Sequence, residues 1–236
     1  MPSRPSPPPG VRGCLITGTD TGVGKTVLAA AIVAALRARG VAVAAFKPLI
    51  TGLDDPPDPD WPPDHVLLAR VAGTAPADVI LAGYGPPVSP HLAAELAGVV
   101  GPDPAALAAR ILAATPPGAT LIVEGVGGLL VPLGPAGDVR DLAIALGLPL
   151  VIAARPSLGT INHTLLTLEA ARAGALTVAG VVLTPWPEPP DVIAQSNRET
   201  IARLGGVDVA TLGTIAAARP ELLAAAGATL PLQRWL

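Results

Sequence analysis

Six short apolar runs recur along the chain: CLITG from Cys14, VAVAAFK (residues 41–47), TLIVEG (120–125), PLVIAA (149–154), VAGVVLT (178–184) and VDVATLG (207–213). None alternates apolar with polar residues, so each reads as a strand buried on both faces rather than one with a face in water. Such strands need helices above and below them, and the Ala-rich stretches between the runs can supply these. The clearest is TVLAAAIVAALRARG (26–40), with Arg37 and Arg39 in its last turn and Gly40 as its stop. Strands alternating with helices predict an α/β fold, doubly wound, with a mainly parallel sheet flanked by helices. No repeat or linker divides the chain. Residues 11–236 therefore read as a single domain, preceded by a flexible Pro-rich lead-in over residues 1–10, MPSRPSPPPG.

Composition narrows the possible partners. Net charge is −3 and charged residues make up 14 % of the chain, so no basic surface is evident for nucleic acid or an anionic membrane. The lead-in has no apolar core of the secretory type. The longest charge-free apolar run, LAIALGLPLVIAA from Leu142, is interrupted by Gly147 and Pro149 and falls short of the ~20 residues that span a bilayer. Cys14 is the single cysteine, which excludes an intrachain disulfide and fits a reducing cytoplasm. A soluble, cytoplasmic protein is expected.

In a doubly wound sheet, ligands gather at the carboxyl ends of the strands. Those ends carry residues 19–26, Lys47, Glu124, Arg155 and Thr184. The first of them, GTDTGVGKT (18–26), follows an apolar run and opens a helix, the context of a phosphate loop. The usual spacing, Gly-x4-Gly-Lys-Ser/Thr, would put its first glycine at Thr19; here Gly18 stands one position early. Gly22 and Gly24 allow backbone amides to turn inward, Lys25 adds a full charge, and the Thr26 hydroxyl can hold Mg²⁺. The competing reading is a glycine-rich turn that only caps a helix.

The other strand ends are less determined. Lys47 is either a solvated charge at a sheet edge or a second ammonium beside the anion site. Glu124 follows four apolar residues, where a lone buried carboxylate would be costly; beside a phosphate loop it is a natural Mg²⁺ partner. Asp64, ending the Pro/Asp-rich stretch DDPPDPDWPPD (54–64), is either a helix cap or a second metal carboxylate, with Asp54, Asp55, Asp58 and Asp60 as competing choices. His65, His91 and His163 have no metal-ligand spacing. No Ser/His/Asp or Cys/His constellation is apparent.

GTDTGVGKT resembles the phosphate loop of the dethiobiotin synthetase family, in which five residues also separate the first glycine from Gly-Lys. Four further motifs match that family in the same order. They are Lys-Pro-x-x-Ser/Thr-Gly at Lys47, the VEGVGG segment with Val126 as its departure, Ser-Pro-His-x-Ala-Ala at Ser89, and Leu-Gly-x-Ile-Asn-His at Leu158. The loop is also similar to that of the ATPase domains of amidotransferases that make cobyrinic acid diamide and cobyric acid. Those enzymes carry a downstream nucleophilic cysteine, whereas Cys14 lies inside the first run. Partitioning-type ATPases are related as well, but place a signature lysine where this chain has Asp20.

The first resemblance implies a P-loop NTPase fold and an ATP- and Mg²⁺-dependent ligase acting on 7,8-diaminononanoate and CO2 or bicarbonate. By the same resemblance the nucleotide lies against Asp20, Thr21, Gly22, Val23, Gly24, Lys25, Thr26 and Val27, with Glu124, Gly127 and Thr184. Lys47, Lys25 and Thr21 are the implied catalytic groups, and Thr26, Asp64 and Glu124 the implied metal ligands. Thr21, Lys47, Thr51, Gly127 and Gly128 would face substrate. Leu158, Gly159, Thr160 and Asn162 would bind its carboxylate tail across the boundary of a homodimer, and Ser89 and His91 would be neighbours of the substrate. The family usually has an asparagine that reads adenine where this chain has Thr184, so base selectivity is where the likeness weakens.

Overall fold

In the computed structural model, residues 10–56 and 58–236 are described; the lead-in, apart from Gly10, lies outside them. All six apolar runs are strands of one sheet: β1 (Arg12–Gly18), β2 (Val43–Phe46), β3 (Thr120–Gly128), β4 (Leu150–Ala154), β5 (Val178–Trp186) and β6 (Val209–Gly213). Their spatial order is β6-β5-β4-β1-β3-β2, and every neighbouring pair is parallel. The lack of alternation has the cause inferred for it. In β1, Cys14 and Ile16 enter one core while Leu15 enters the core on the opposite face, and all three are fully buried.

The covering helices are α1 (Lys25–Ala38), α2 (Asp64–Ala72), α3 (Pro104–Ala114), α4 (Val139–Leu146), α5 (Thr160–Ala173), α6 (Val192–Gly205) and α7 (Pro220–Gly227). On one face Leu28 and Ile32 of α1, Leu67 and Leu68 of α2, and Leu223 of α7 join a single core. On the other, Leu107 and Ile111 of α3 pack with Leu142 and Leu146 of α4, while Leu168 of α5 and Ile201 of α6 cover β4 and β5. The alanine content of α1 has a packing role: a Cβ added at Gly227 of α7 would lie 2.0 Å from the Ala31 carbonyl oxygen, so the two backbones nearly touch. Among the described residues, no helix is long and apolar enough to cross a membrane.

The chain leaves β1 for the edge strand β2, returns through β3, and then crosses to β4 on the other side of β1. Connections therefore diverge around β1, and the crevice between them opens at its carboxyl end. Two local features at that end have no counterpart in the sequence pattern. β3 runs on to Gly128, and its register with β1 jumps from Ile16–Glu124 to Gly18–Gly128, so residues 125–127 bulge outward. Strands of two or three residues, too short to show any periodicity, also form there: Leu49–Ile50 beside Ala82–Gly83, and Pro132–Gly134 beside Gly137–Asp138.

Candidate active site

The loop after β1 ends at Gly24, the N-cap of α1, which adopts a left-handed conformation at φ 88°. A Cβ there would meet the Thr184 methyl at 2.9 Å, so conformation and space both require glycine. No side chain caps α1, which leaves the amides of its first turn directed at the crevice. Lys25 is nearly enclosed, and its Nζ reaches back to donate to the Asp20 carbonyl at 2.8 Å. Burial lowers its pKa to about 8, against a raising effect from Glu124. The Asp20 carboxylate faces its own loop and accepts from the Thr21 amide at 2.7 Å.

Lys47 stands immediately after β2, where its backbone amide donates to the Val79 carbonyl at 2.9 Å. Its ammonium donates to Glu124 Oε1 at 2.8 Å, to Asp64 Oδ2, and toward Thr26 Oγ1 at 3.4 Å. Thr26 in turn donates to the same Glu124 oxygen at 2.7 Å. Four side chains from four separate segments thus share one polar knot. Of the two readings of Lys47, the solvated one does not hold, because the residue is 5 % exposed. Nor is Asp64 a helix cap: Pro63 occupies that position and Asp64 is the first helical residue.

Charges in the knot are set by competition between burial and pairing. Burial would lower the Lys47 pKa, but Glu124 and Asp64 outweigh it and the net shift is upward. Burial would raise the Asp64 carboxyl, and Lys47 more than reverses this. Glu124 is the most enclosed of the three, and there burial prevails over Lys47 and holds its pKa above the ordinary carboxylate value. Its second oxygen, Oε2, is buried without a hydrogen-bond partner. One hydroxyl, one half-exposed carboxylate and one carboxylate with an unused oxygen form a hard oxygen donor set. It fits a magnesium ion that completes its shell with water and phosphate. Among the described residues, no group of three His, Cys, Asp or Glu side chains is placed to hold a metal.

These groups form the floor of a cavity of about 640 Å³. Of the residues singled out from sequence, Thr21, Gly22, Gly24, Lys25, Thr26 and Val27 line it from the loop. Lys47, Thr51, Asp64, Glu124 and Gly127 line it from the other segments, and Ser89 stands at its side. Its apolar wall, Ile50, Val88, Val126 and Val131, carries no sequence signal; Val126 arrives there on the bulge of β3. Asp20, Val23, Gly128 and His91 are not lining residues. Val23 is buried beneath the loop, and Gly128 lies against the Gly18 carbonyl. Thr184 is 3 % exposed and packs under Gly24. Leu158, Gly159, Thr160 and Asn162 sit at the start of α5, outside this cavity; Leu158 is 90 % exposed, whereas Thr160 is buried beside Thr164. Arg155, known from sequence only as a strand-end residue, reaches the loop: its Nη2 donates to the carbonyls of Gly22 at 3.2 Å and Thr21 at 3.4 Å.

Residues 12–219 match the family model described as an AAA domain. The chain is 44 % identical over 215 residues to the ATP-dependent dethiobiotin synthetase BioD of Mycobacterium avium (strain 104), covering 89 % of this chain and 92 % of the relative. It is 41 % identical over 225 residues to the protein of the same name in Mycobacterium sp. (strain KMS), covering 94 % and 96 %. Among solved structures, a ParA family ATPase from Chlorobium tepidum TLS shares the fold, with a TM-score of 0.50, 12 % identity, and 92 % of this chain and 90 % of that one covered. On the extent and level of the sequence matches, the chain belongs to the ATP-dependent dethiobiotin synthetase family, enzymes of the ligase type.

Proposed function

We propose that this chain, with residues 11–236 working as one domain and two copies forming a homodimer in the cytoplasm, converts 7,8-diaminononanoate and CO2 to dethiobiotin at the expense of ATP. An amine of the substrate adds to CO2 to form a carbamate. A carbamate oxygen attacks the γ-phosphorus and ADP leaves. The second amine then attacks the carbamoyl carbon, closing the ureido ring and expelling phosphate.

The observation that carries this reading is the meeting of Lys25, Lys47, Thr26 and Glu124 in one cavity at the end of β1 and β3. Phosphoryl transfer asks for positioning and neutralisation of spreading negative charge more than for a side-chain nucleophile. Lys25 and the amides of the first turn of α1 bind and orient the phosphates. Lys47, held in place by Glu124 and Asp64, directs its ammonium to the oxygens exchanged between carbamate and γ-phosphate. Thr21 and Thr51 border the same space and orient the carbamate, and Gly127 keeps that border free of a side chain. The apolar wall takes the hydrocarbon chain of the substrate and excludes water from the transfer. Thr26, Asp64 and Glu124 would hold Mg²⁺, which supplies charge neutralisation at the β- and γ-phosphate oxygens. Leu158, Gly159, Thr160 and Asn162 bind the carboxylate tail of the substrate held mainly by the other copy.

Incubating the purified protein with 7,8-diaminononanoate, bicarbonate, Mg²⁺ and ATP should yield dethiobiotin, detected by mass spectrometry. A folded protein that gives no product under these conditions refutes the proposal.

A further inference from the structure

A phosphate loop works only while its amides point inward, and its carbonyls must then point outward. Here two of those outward carbonyls, Thr21 and Gly22, converge on one guanidinium, that of Arg155. The contact joins segments more than 130 residues apart in sequence. Arg155 makes no ion pair among the described residues, so no carboxylate competes for it. A guanidinium is well matched to two carbonyls. It stays charged at every working pH and presents several donors in one plane, so it can hold both acceptors together.

The backbone that carries Arg155 is itself secured. Asn197 of α6 is buried, and its Nδ2 donates to the Pro156 carbonyl at 2.9 Å and the Ser157 carbonyl at 3.2 Å. The connection from β4 to α5 is therefore tied to α6 at one side and to the phosphate loop at the other.

We propose that Arg155 is a positioning residue for nucleotide binding: it clamps the outward carbonyls of Thr21 and Gly22, while Asn197 fixes the backbone from which it reaches. The clamp keeps the loop amides preorganised before the phosphates arrive, so its loss weakens binding and leaves chemistry on bound nucleotide intact. The inference rests on the loop's being a nucleotide site and on no particular second substrate.

The test uses Arg155→Met, Arg155→Lys, Asn197→Ala and the Met/Ala double variant. Binding of Mg·ATP is measured by calorimetry, and amide hydrogen exchange is measured at residues 21–24 in nucleotide-free protein. Arg155→Met should weaken binding about tenfold, equivalent to ~1.4 kcal/mol, accelerate exchange in the loop and leave kcat at saturating ATP within twofold. Arg155→Lys should fall between it and the wild type. Asn197→Ala should weaken binding as well, yet add no further loss when combined with Arg155→Met. Unchanged binding and exchange in Arg155→Met, or fully additive losses in the double variant, would overturn the proposal. A fall in kcat with unchanged affinity would overturn it too, because Arg155 would then act on the reacting phosphoryl group. If the wild-type protein bound no Mg·ATP, the functional reading would fail, while the clamp would still stand or fall on the exchange rates.

Discussion

Replacing Lys47 by methionine removes the cation on which two carboxylates depend. The Glu124 side chain is wholly enclosed and the Lys47 side chain nearly so, while the Asp64 side chain keeps nearly half its surface in water. Asp64 can therefore rehydrate, but Glu124 would retain only the Thr26 hydroxyl as donor. Deleting one partner of a buried pair costs about 3–5 kcal/mol. Solvent at the Asp64 side argues for the low end, ~3 kcal/mol, or roughly 6–12 °C in melting temperature for a chain of this size. The loss should also depend on pH. Glu124 already has a raised pKa, and without Lys47 it rises further. A raised carboxyl contributes stability at low pH that is lost as pH climbs through its folded value, so the Lys47→Met defect should be smaller at the acid end of the native range than at pH 8. Adding Glu124→Gln removes the stranded charge and should restore more than half of the lost stability. Activity should not return with it: turnover in both variants should drop at least ~10²-fold, on the scale of losing one transition-state donor. Mg·ATP binding through the loop and Lys25 should survive in Lys47→Met within tenfold. Chemical denaturation at both pH values, calorimetry and the dethiobiotin assay read these quantities. The reasoning is refuted if Lys47→Met melts within 2 °C of the wild type at pH 8, or if it retains a tenth of wild-type turnover.

Three further outcomes follow from other parts of the structure. Asp64→Asn should raise the Mg²⁺ concentration for half-maximal activity by at least ~10-fold, since Asp64 is one of only two carboxylates in the proposed Mg²⁺ donor set; an unchanged Mg²⁺ titration would remove Asp64 from that set. Gly24→Ala forces a Cβ against the Thr184 methyl at a left-handed backbone position, costing about 1–2 kcal/mol in backbone strain alone. Nucleotide binding should therefore fall more than tenfold in calorimetry, and Thr184→Ser, which relieves only the clash, should recover just part of it. Burial pushes the Cys14 thiol from 9.0 up to about 12. The native state thus keeps its proton while the unfolded chain loses it above pH 9, and stability drains at ~1.4 kcal/mol per pH unit between those values. Between pH 8 and 10.5, Cys14→Ala should lose ~2 kcal/mol less than the wild type in urea denaturation, and the native wild-type thiol should resist disulfide reagents at pH 8.

The sequence by itself determined the sheet and its covering helices. All six strands were legible because parallel strands buried on both faces carry uninterrupted apolar runs, a signal local to five to seven residues. The phosphate loop was equally legible, since its glycines, lysine and threonine are contiguous and their chemistry depends on that contiguity. Lys47 and Asp64 stood at a different level. Read from composition and spacing, each kept a bland alternative, and only resemblance to a family favoured the site. Tertiary structure removed the bland readings because the partners of Lys47 lie 17 to 77 residues away, at Asp64, Thr26 and Glu124, where no local pattern records the approach. The same reason accounts for what was missed. The apolar wall of the cavity depends on a register jump in β3, and the role of Arg155 depends on carbonyls over 130 residues distant. Periodicity follows from burial of each segment against a face, whereas a site is made by strand order, which brings the ends of distant segments to one crevice.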